Sequence, residues 1–586
     1  MDKNKVIRSH HLSSCRGLEP RRGWCRAAAR PTVVVIAVSV LAALVMAVAV
    51  VLFGVRLTPS GGNNIWVSAG VRDVLKAVSN SNQGIASPLA TVPDPGDWLL
   101  GGLLSPDFDE SSCLSRYRAA LYRRPSVHAI SSHLLSALRR YESLHRRCGP
   151  GTPAYARAVE RLRTPPTNTS TTSSSSSAEC SYLVWTPIEG LGNRILTITS
   201  GFLYALLTGR VLLLRGSGGA LDDLFCEPFP GSTWILPEDD KDSDVFPIRD
   251  MDKLTAGHHE SLRSMLRRGK DPSMAPWLYV HLRHDYSKVH HDQLFFCDGT
   301  QAQLRRVPWL VFQSDNYFAP ALFLMPRHER ELARMFPRRD VVFHHLGRYL
   351  FHPSNTVWGM VTRHHGDSRF AAADDDVERV GIQVRKFHWA PISTGELYGQ
   401  VLNCTQREGI LPVVVPSAGA AAGGNSDGQP AAKRKAVLVV SLHGEYSEKL
   451  RDLYHGNGSA TGTGREAVSV YQPTHLGAQR SGEQQHNQKA LAEMVLLSFS
   501  DAVVTTGVST FGYVGQGLAG LRPWVLMSPV DGKAPDTPCR RAATMEPCFH
   551  APPNYDCRAK AKGDAGRIVR HIRHCEDFPQ GVQLVE

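Results

Sequence analysis

No charged residue occurs in the 24 positions from Thr32 to Val55. As a helix, that stretch would be roughly 36 Å long, enough to cross a bilayer. Eight Lys or Arg residues against two acids, Asp2 and Glu19, occupy the first thirty positions, and Arg56 alone follows the apolar run closely. The positive-inside rule therefore predicts a cytosolic tail over residues 1–31 and a transmembrane signal anchor over 32–55, with everything beyond lying across the membrane. A cleavable signal peptide would show a shorter apolar region backed by a small-x-small site. The expected arrangement is single-pass type II.

Other absences exclude whole classes of function. The formal charge of +12 makes no case for nucleic acid, because the tail supplies half of it and the rest is spread thinly. The cluster Cys539, Cys548, Cys557 and Cys575 contains no Cys-x-x-Cys pair, so a zinc site is not expected. "GLGNR", Gly190 to Arg194, lacks the third glycine of a dinucleotide fingerprint and the Gly-Lys-Ser/Thr of a Walker A loop. The loop around Ser509 lacks the Gly-x-Ser-x-Gly elbow of a serine hydrolase. A metal-dependent transferase needs a carboxylate pair after a strand. The acids Asp374 to Asp376 in "AADDDVER" precede one and read as a solvated turn. The pairs His258-His259, His290-His291, His344-His345 and His364-His365 are adjacent residues, which point to different faces, so no metal site is predicted from them.

What is present fits an oxidising compartment. Ten of the twelve cysteines follow the apolar run, an even set that predicts disulfides without fixing their connectivity. Sequons at Asn168, Asn403 and Asn457 agree with a lumenal route. Residues 56–106, rich in Gly, Ser, Asn and Pro, read as a flexible stem. Helical character follows from Cys113 to Leu162, then a polar break, "TPPTNTSTTSSSSSAE". A second low-complexity insert, Pro416 to Lys435, reads as a surface loop.

Between these breaks, short apolar runs alternate with helical stretches. Strands are predicted at "YLVWTPI", "RVLLL", "WLYVHL", "ERVGIQVRKF", "KAVLVVSLHG", "DAVVTTG" and "PWVLMSP". Helices are predicted over Asn193–Leu207, Tyr446–Tyr454 and Asn487–Phe499. The alternation implies an α/β architecture with parallel sheets, long enough for two domains, 107–375 and 376–545, followed by a Cys-rich segment, 546–586. Such sheets bind ligands at the carboxyl ends of their strands.

The motifs fall at those ends. "GLGNR" follows a strand and opens a helix, so its glycines could bring backbone N–H groups to an anionic or polar ligand. A tight turn with Asn193 as cap is the bland alternative. Arg385 ends the buried strand of "VGIQVRKFHW", with Lys386 and His388 beside it, and suits bidentate pairing to a diphosphate. "SLHGEYSEKL" follows another apolar strand. "DAVVTTGVSTFGYVGQGLAG" runs strand, Thr/Ser/Gly loop, helix, a second phosphate-binding nest.

Together "GLGNRILTITSGFLYALLTGRVLLL", "DDLFCEPFPGSTW", "FHHLGRYLFHPSNTVWG", "GIQVRKF" and "TTGVSTFGYVGQGLAGLRPW" resemble the plant cell-wall fucosyltransferases. The likeness runs from about Asp107 to Cys575. It implies a Golgi type II enzyme with a variant GT-B fold, two Rossmann-like domains about a central cleft. It also implies GDP-fucose as donor, inversion at the anomeric carbon and no metal requirement. By the same resemblance Arg385 neutralises the diphosphate. Thr506, Ser509, Thr510 and Phe511 hold phosphate and ribose, and Ser441, His443 and Glu445 border the guanine or ribose. Gly190, Gly192, Asn193 and Arg194 face the transferred sugar and the diphosphate. The acceptor is a cell-wall polysaccharide such as xyloglucan or a glycoprotein glycan, and a homodimer or a complex with other glycosyltransferases is the assembly to test for.

Transfer also calls for a group to take the acceptor's proton. Asp315 in "FQSDNYF" ranks first and Asp285 in "HLRHDYSK" second, although a strand-end cap or an Arg partner explains either equally well. Two competing functions stand beside this one: fucosylation of arabinogalactan-protein glycans, and a non-catalytic Golgi partner that keeps the fold.

Overall fold

A computed structural model describes residues 99–164, 179–216, 221–237, 246–367, 377–414, 434–456, 460–461, 464–465, 467–564, 566 and 569–586. These belong to one compact unit, Leu89–Glu586. The predicted anchor at 32–55, the acids Asp374 to Asp376, and the sequons at Asn168 and Asn457 lie outside the described residues. Among the described residues, no helix is long and apolar enough to cross a membrane.

Ten strands build two sheets. They are β1 (Tyr182–Trp185), β2 (Val211–Leu214), β3 (Trp277–Leu282), β4 (Trp309–Ser314), β5 (Val377–Val384), β6 (Arg434–Ser441), β7 (Ala467–Tyr471), β8 (Ala502–Thr506), β9 (Trp524–Leu526) and β10 (Cys539–Arg541). The first sheet has the order β2-β1-β4-β3 and is parallel throughout. The second has the order β10-β9-β8-β5-β6-β7, parallel except for the edge strand β10. Strands β1, β2 and β4 are buried along their whole length, which is why they read as apolar runs without alternation.

The helices that matter here are α1 (Ser132–Cys148), α2 (Pro153–Arg163), α3 (Leu191–Thr208), α4 (Val342–Leu350), α5 (Asn355–Asp367), α6 (Thr394–Arg407), α7 (Glu445–Gly456), α8 (Gln484–Leu497) and α9 (Thr510–Ala519). Helix α3 begins directly behind β1 and buries residues on nearly every face, from Leu191 to Ala205. Its core partners include Phe343 and Leu346 of α4, Leu491 of α8 and Val514 of α9. A helix apolar all round is a core helix.

Two boundaries differ from expectation. Leu100, Leu103 and Leu104 are buried in the same core as α1 and α3, so the end of the expected stem is packed structure rather than flexible chain. Three leucines in five residues outweigh the glycines between them. The insert expected to reach Lys435 stops earlier, because Arg434 and Lys435 already pair with Val377 and Glu378 in β5. Lys435 is a strand residue whose ammonium snorkels to the Glu378 carboxylate at 2.6 Å.

The ten cysteines from Cys113 onward form five disulfides: Cys113–Cys226, Cys148–Cys180, Cys297–Cys557, Cys404–Cys539 and Cys548–Cys575. Cys297–Cys557 ties the C-terminal segment back to the first-sheet half, where the Tyr286 hydroxyl also donates to the Ala551 carbonyl. Asn403 is exposed on α6, beside the buried Cys404.

Candidate active site

The carboxyl ends of both sheets open onto a cleft of about 400 Å³. Five inner strands deliver something to it. After β1 comes Gly190 and the first turn of α3; after β4, Asp315; after β5, Arg385; at the end of β6, Ser441; after β8, Ser509 and the first turn of α9. Two helix N-termini therefore meet across one cavity, one from each sheet.

Both starts present main-chain N–H groups. Gly190 is the N-cap of α3 and offers no side chain to satisfy the first turn. At α9, Ser509 caps only the Gly512 N–H, at 3.5 Å, leaving Thr510 and Phe511 at the cleft wall. Unsatisfied N–H groups and the positive end of the helix dipole make such termini anion sites. The residues just before each start, Glu189 (φ 62°) and Val508 (φ 58°), are held in the left-handed region. For β-branched Val508 this conformation is strained.

Gly192 explains how the two starts come so close. A Cβ there would lie 2.8 Å from the Thr510 carbonyl carbon and 2.9 Å from the Phe511 nitrogen. Only a residue without a side chain lets α3 rest directly on the α9 nest. The glycine is demanded by contact between the halves, which neither a phosphate loop nor a tight turn would require by itself.

Arg385 donates its backbone N–H to Thr506 Oγ1 at 3.0 Å and its guanidinium to Gln479 Oε1 at 2.6 Å. Among the described residues, no carboxylate lies within ion-pair distance of it. Burial alone pulls its pKa below the usual value. A half-buried cation with only a neutral amide partner, beside two helix N-termini, is a site for a strongly anionic group.

Helix α8 forms another wall. His486, Asn487, Ala490, Glu493 and Met494 share one face and line the cleft. Glu493 is buried at the cleft wall, accepts from Thr474 Oγ1 at 2.6 Å, and is pushed up to about 8 by desolvation. Asp315 reaches the cleft with both oxygens partnered: Asn316 Nδ2 donates to Oδ1 at 2.5 Å, and the exposed His284 contacts Oδ2 through Nδ1 at 2.7 Å.

Gly190, Gly192, Asn193, Asp315, Arg385, Ser441, Ser509, Thr510 and Phe511 are thus brought together. Four other expected donor residues are not at the wall. Arg194 is engaged at the rim, donating to the carbonyls of Glu189 (3.0 Å) and Ser481 (3.4 Å), which themselves line the cleft. Thr506 is spent between strands, donating to the Gln383 carbonyl while accepting from Arg385. The chain turns into α7 immediately after Ser441, which carries His443 past the cleft and leaves Glu445 exposed on the first turn. The second base candidate, Asp285, is also elsewhere. It pairs with His281 at 2.8 Å and with Arg263 at 3.7 Å, and these partners hold its carboxyl below the usual range against the opposing effect of burial.

The histidine pairs also need one correction. His258 and His259 do not splay apart; their rings lie 4.3 Å from each other, and with Glu260 they form a group of metal-ligand type outside the cleft. The turn that precedes the short helix at Leu262 brings them to one side.

A family model described as xyloglucan fucosyltransferase matches residues 71–558. The chain is 47% identical over 509 residues to a galactoside 2-alpha-L-fucosyltransferase of Pisum sativum, covering 86% of this chain and 85% of that protein. It is 46% identical over 520 residues to a galactoside 2-alpha-L-fucosyltransferase of Arabidopsis thaliana, covering 86% and 88%. A solved Arabidopsis thaliana fucosyltransferase in complex with GDP superposes with a TM-score of 0.73 at 46% identity, covering 83% of this chain and 100% of that one.

Proposed function

The chain belongs to the xyloglucan fucosyltransferase family and is a glycosyltransferase, and on that premise we propose that it moves L-fucose from GDP-fucose to a galactose hydroxyl of a cell-wall glycan such as xyloglucan. The observation that carries this reading is the pairing of Arg385, without a carboxylate partner, with two helix N-termini that converge on one cleft. The two sheets are the halves of a variant GT-B arrangement. The segment 32–55 anchors the enzyme in the Golgi membrane, with the catalytic part in the lumen.

Arg385 and the N–H groups of Thr510 and Phe511 take the diphosphate. Their fixed positive potential grows in value as the C–O bond to fucose breaks and charge builds on the departing GDP. Because protein groups supply that potential, transfer is expected to survive chelation. Glu493 with Thr474 receives the guanine edge, whose adjacent N–H donors suit a carboxylate. Across the cleft, Asp315 is the proton acceptor for the incoming hydroxyl, its rotamer fixed by Asn316 and His284. Attack from the side opposite the diphosphate inverts the anomeric centre.

The test is GDP release by the lumenal part, given GDP-fucose with xyloglucan, an arabinan-rich acceptor or none, all with EDTA. Acceptor-stimulated release that falls at least a hundredfold in Arg385→Ala is expected, since a buried charge-assisted contact is worth about 3 kcal/mol or more. A folded protein that binds GDP yet releases none with any acceptor is instead a non-catalytic partner. Stimulation by the arabinan-rich acceptor alone would move the substrate to arabinogalactan-type glycans.

A further inference from the structure

The α9 nest is braced from behind by a residue that lies beyond every cleft-lining segment in the sequence. Asp577 Oδ2 accepts the backbone N–H of Val508 at 2.7 Å and the hydroxyl of Tyr513 at 2.5 Å. Tyr513 is buried on α9 and also meets His550 Nε2 at 3.1 Å, and His550 lines the cleft. One carboxylate oxygen thus fixes the strained residue before the helix and a side chain one turn inside it.

The approach is close on the other side too. A Cβ on Gly507 would fall 2.9 Å from the Asp577 Cβ and 2.9 Å from the Leu526 carbonyl oxygen, so the loop and the aspartate pack with nothing between them. Asp577 in turn is held in place. It lies two residues past Cys575, which is bridged to Cys548, in a hairpin where Ile572–His574 pairs with Val582–Leu584. The C-terminal segment reads as a strap across the back of the nest.

Val508 is a β-branched residue at φ 58°, a conformation that persists only where surroundings over-determine it. The hydrogen bond from its N–H is the contact that does so. Resting on the reading of the Ser509 loop as the diphosphate nest, we propose that Asp577 is a positioning residue. It holds Val508 left-handed, aims the N–H groups of Thr510 and Phe511 into the cleft, and so makes the disulfide-bonded C-terminal strap part of the donor site.

The measurements are GDP affinity by calorimetry, kcat and KM for GDP-fucose, and amide hydrogen exchange over 508–513, on the lumenal part with its disulfides intact. Asp577→Ala is expected to raise the GDP Kd and the KM for GDP-fucose about tenfold or more, the effect of losing a charge-assisted hydrogen bond. Its Ser509–Phe511 amides should exchange faster. Asp577→Asn keeps an acceptor oxygen and should lose less. Val508→Gly placed in the Asp577→Ala background should recover much of the affinity, because glycine adopts φ near 60° without the strap. A merely structural aspartate would not be rescued that way. Equal GDP affinity in Asp577→Ala and the native chain overturns the proposal alone, as does a double variant no better than Asp577→Ala. A native chain that does not bind GDP overturns the donor-site reading and the proposal with it. If Asp577→Ala fails to fold, Asp577→Asn with unchanged exchange and Kd is the overturning result.

Discussion

Alanine at Gly192 would force apart the two helix starts that make the cleft. Its Cβ would sit 2.8 Å from both the carbonyl carbon and Oγ1 of Thr510, and 2.9 Å from the Phe511 nitrogen. Ordinary contact begins at 3.4 Å, so α3 and the α9 nest must separate by about half an ångström. Two of the three obstructing atoms are main chain, so no rotamer change relieves the clash. Overpacking of this kind costs about 1–3 kcal/mol. The same displacement moves the nest's N–H groups relative to the α3 start, so the cost should appear in ligand binding as well as in stability. We expect the GDP Kd to rise and kcat/KM to fall together, by roughly ten- to a hundredfold. The control sits at the other end of the same helix. At Gly209 a Cβ meets nothing within 4 Å, but φ is +65°, so Gly209→Ala should lose about 1–2 kcal/mol of stability through backbone strain and leave the GDP Kd unchanged. Calorimetric GDP titration and GDP-release kinetics on both variants decide the matter. Native Kd and kcat/KM in Gly192→Ala would refute the claim that contact between the two halves sets the donor site.

Two buried carboxyls give pH signatures of different kinds. Glu493, at about 8 when the cleft is empty, is protonated near neutrality; guanine's N–H donors favour its ionised form, so GDP binding should release a proton and tighten as pH rises from 6 to 8. In Glu493→Gln that pH dependence should vanish, and an unaltered slope would remove Glu493 from the base site. Glu546 accepts from the Tyr317 hydroxyl and the Phe343 N–H, both at 2.7 Å, and burial also pushes it up to about 8. Its folded value is raised above the ordinary 4.5, so its contribution to stability is full below that pH and is lost as pH climbs toward 8, by up to about 1.4 kcal/mol per unit. Thermal midpoints of Glu546→Gln and the native chain should therefore diverge between pH 5 and 7.5 in the variant's favour, and parallel curves would contradict this.

Residues whose type is dictated by their own stretch of backbone were readable before any fold was in hand. Arg385 stands just past a strand buried from Arg379 to Val384, and Gly190 and Ser509 open helices after β1 and β8; strand, turn and helix start are all local patterns. The residues beside them misled for an equally local reason. Successive helix positions turn by 100°, so Asn193 lines the cleft and Arg194 is held at its rim; extending a motif by one residue leaves the wall. Strand β4 was legible, since Pro308 breaks the helical text directly before its apolar run, although the expected strands omit it; β7 was hidden because it is short and at an edge.

Glu493 is the instructive omission. It lies in "NQKALAEMVLLSF", where a helix was the correct reading, and a single acid there looks like noise. Counted at three and four residues from its neighbours, it shares a face with His486, Asn487 and Ala490, the polar stripe of a helix otherwise buried all round. That signal existed in the spacing. For Asp577 none did, because its part in the nest depends on Cys548–Cys575 and a hairpin that bring the C-terminus behind Val508, and connectivity among ten cysteines is not a local property. The division follows from the chemistry. A site that binds its ligand mainly through main-chain N–H groups advertises itself by the glycines and turns that expose them. The side chains that hold those N–H groups in place can come from anywhere in the chain, and their identity is set by the fold that delivers them.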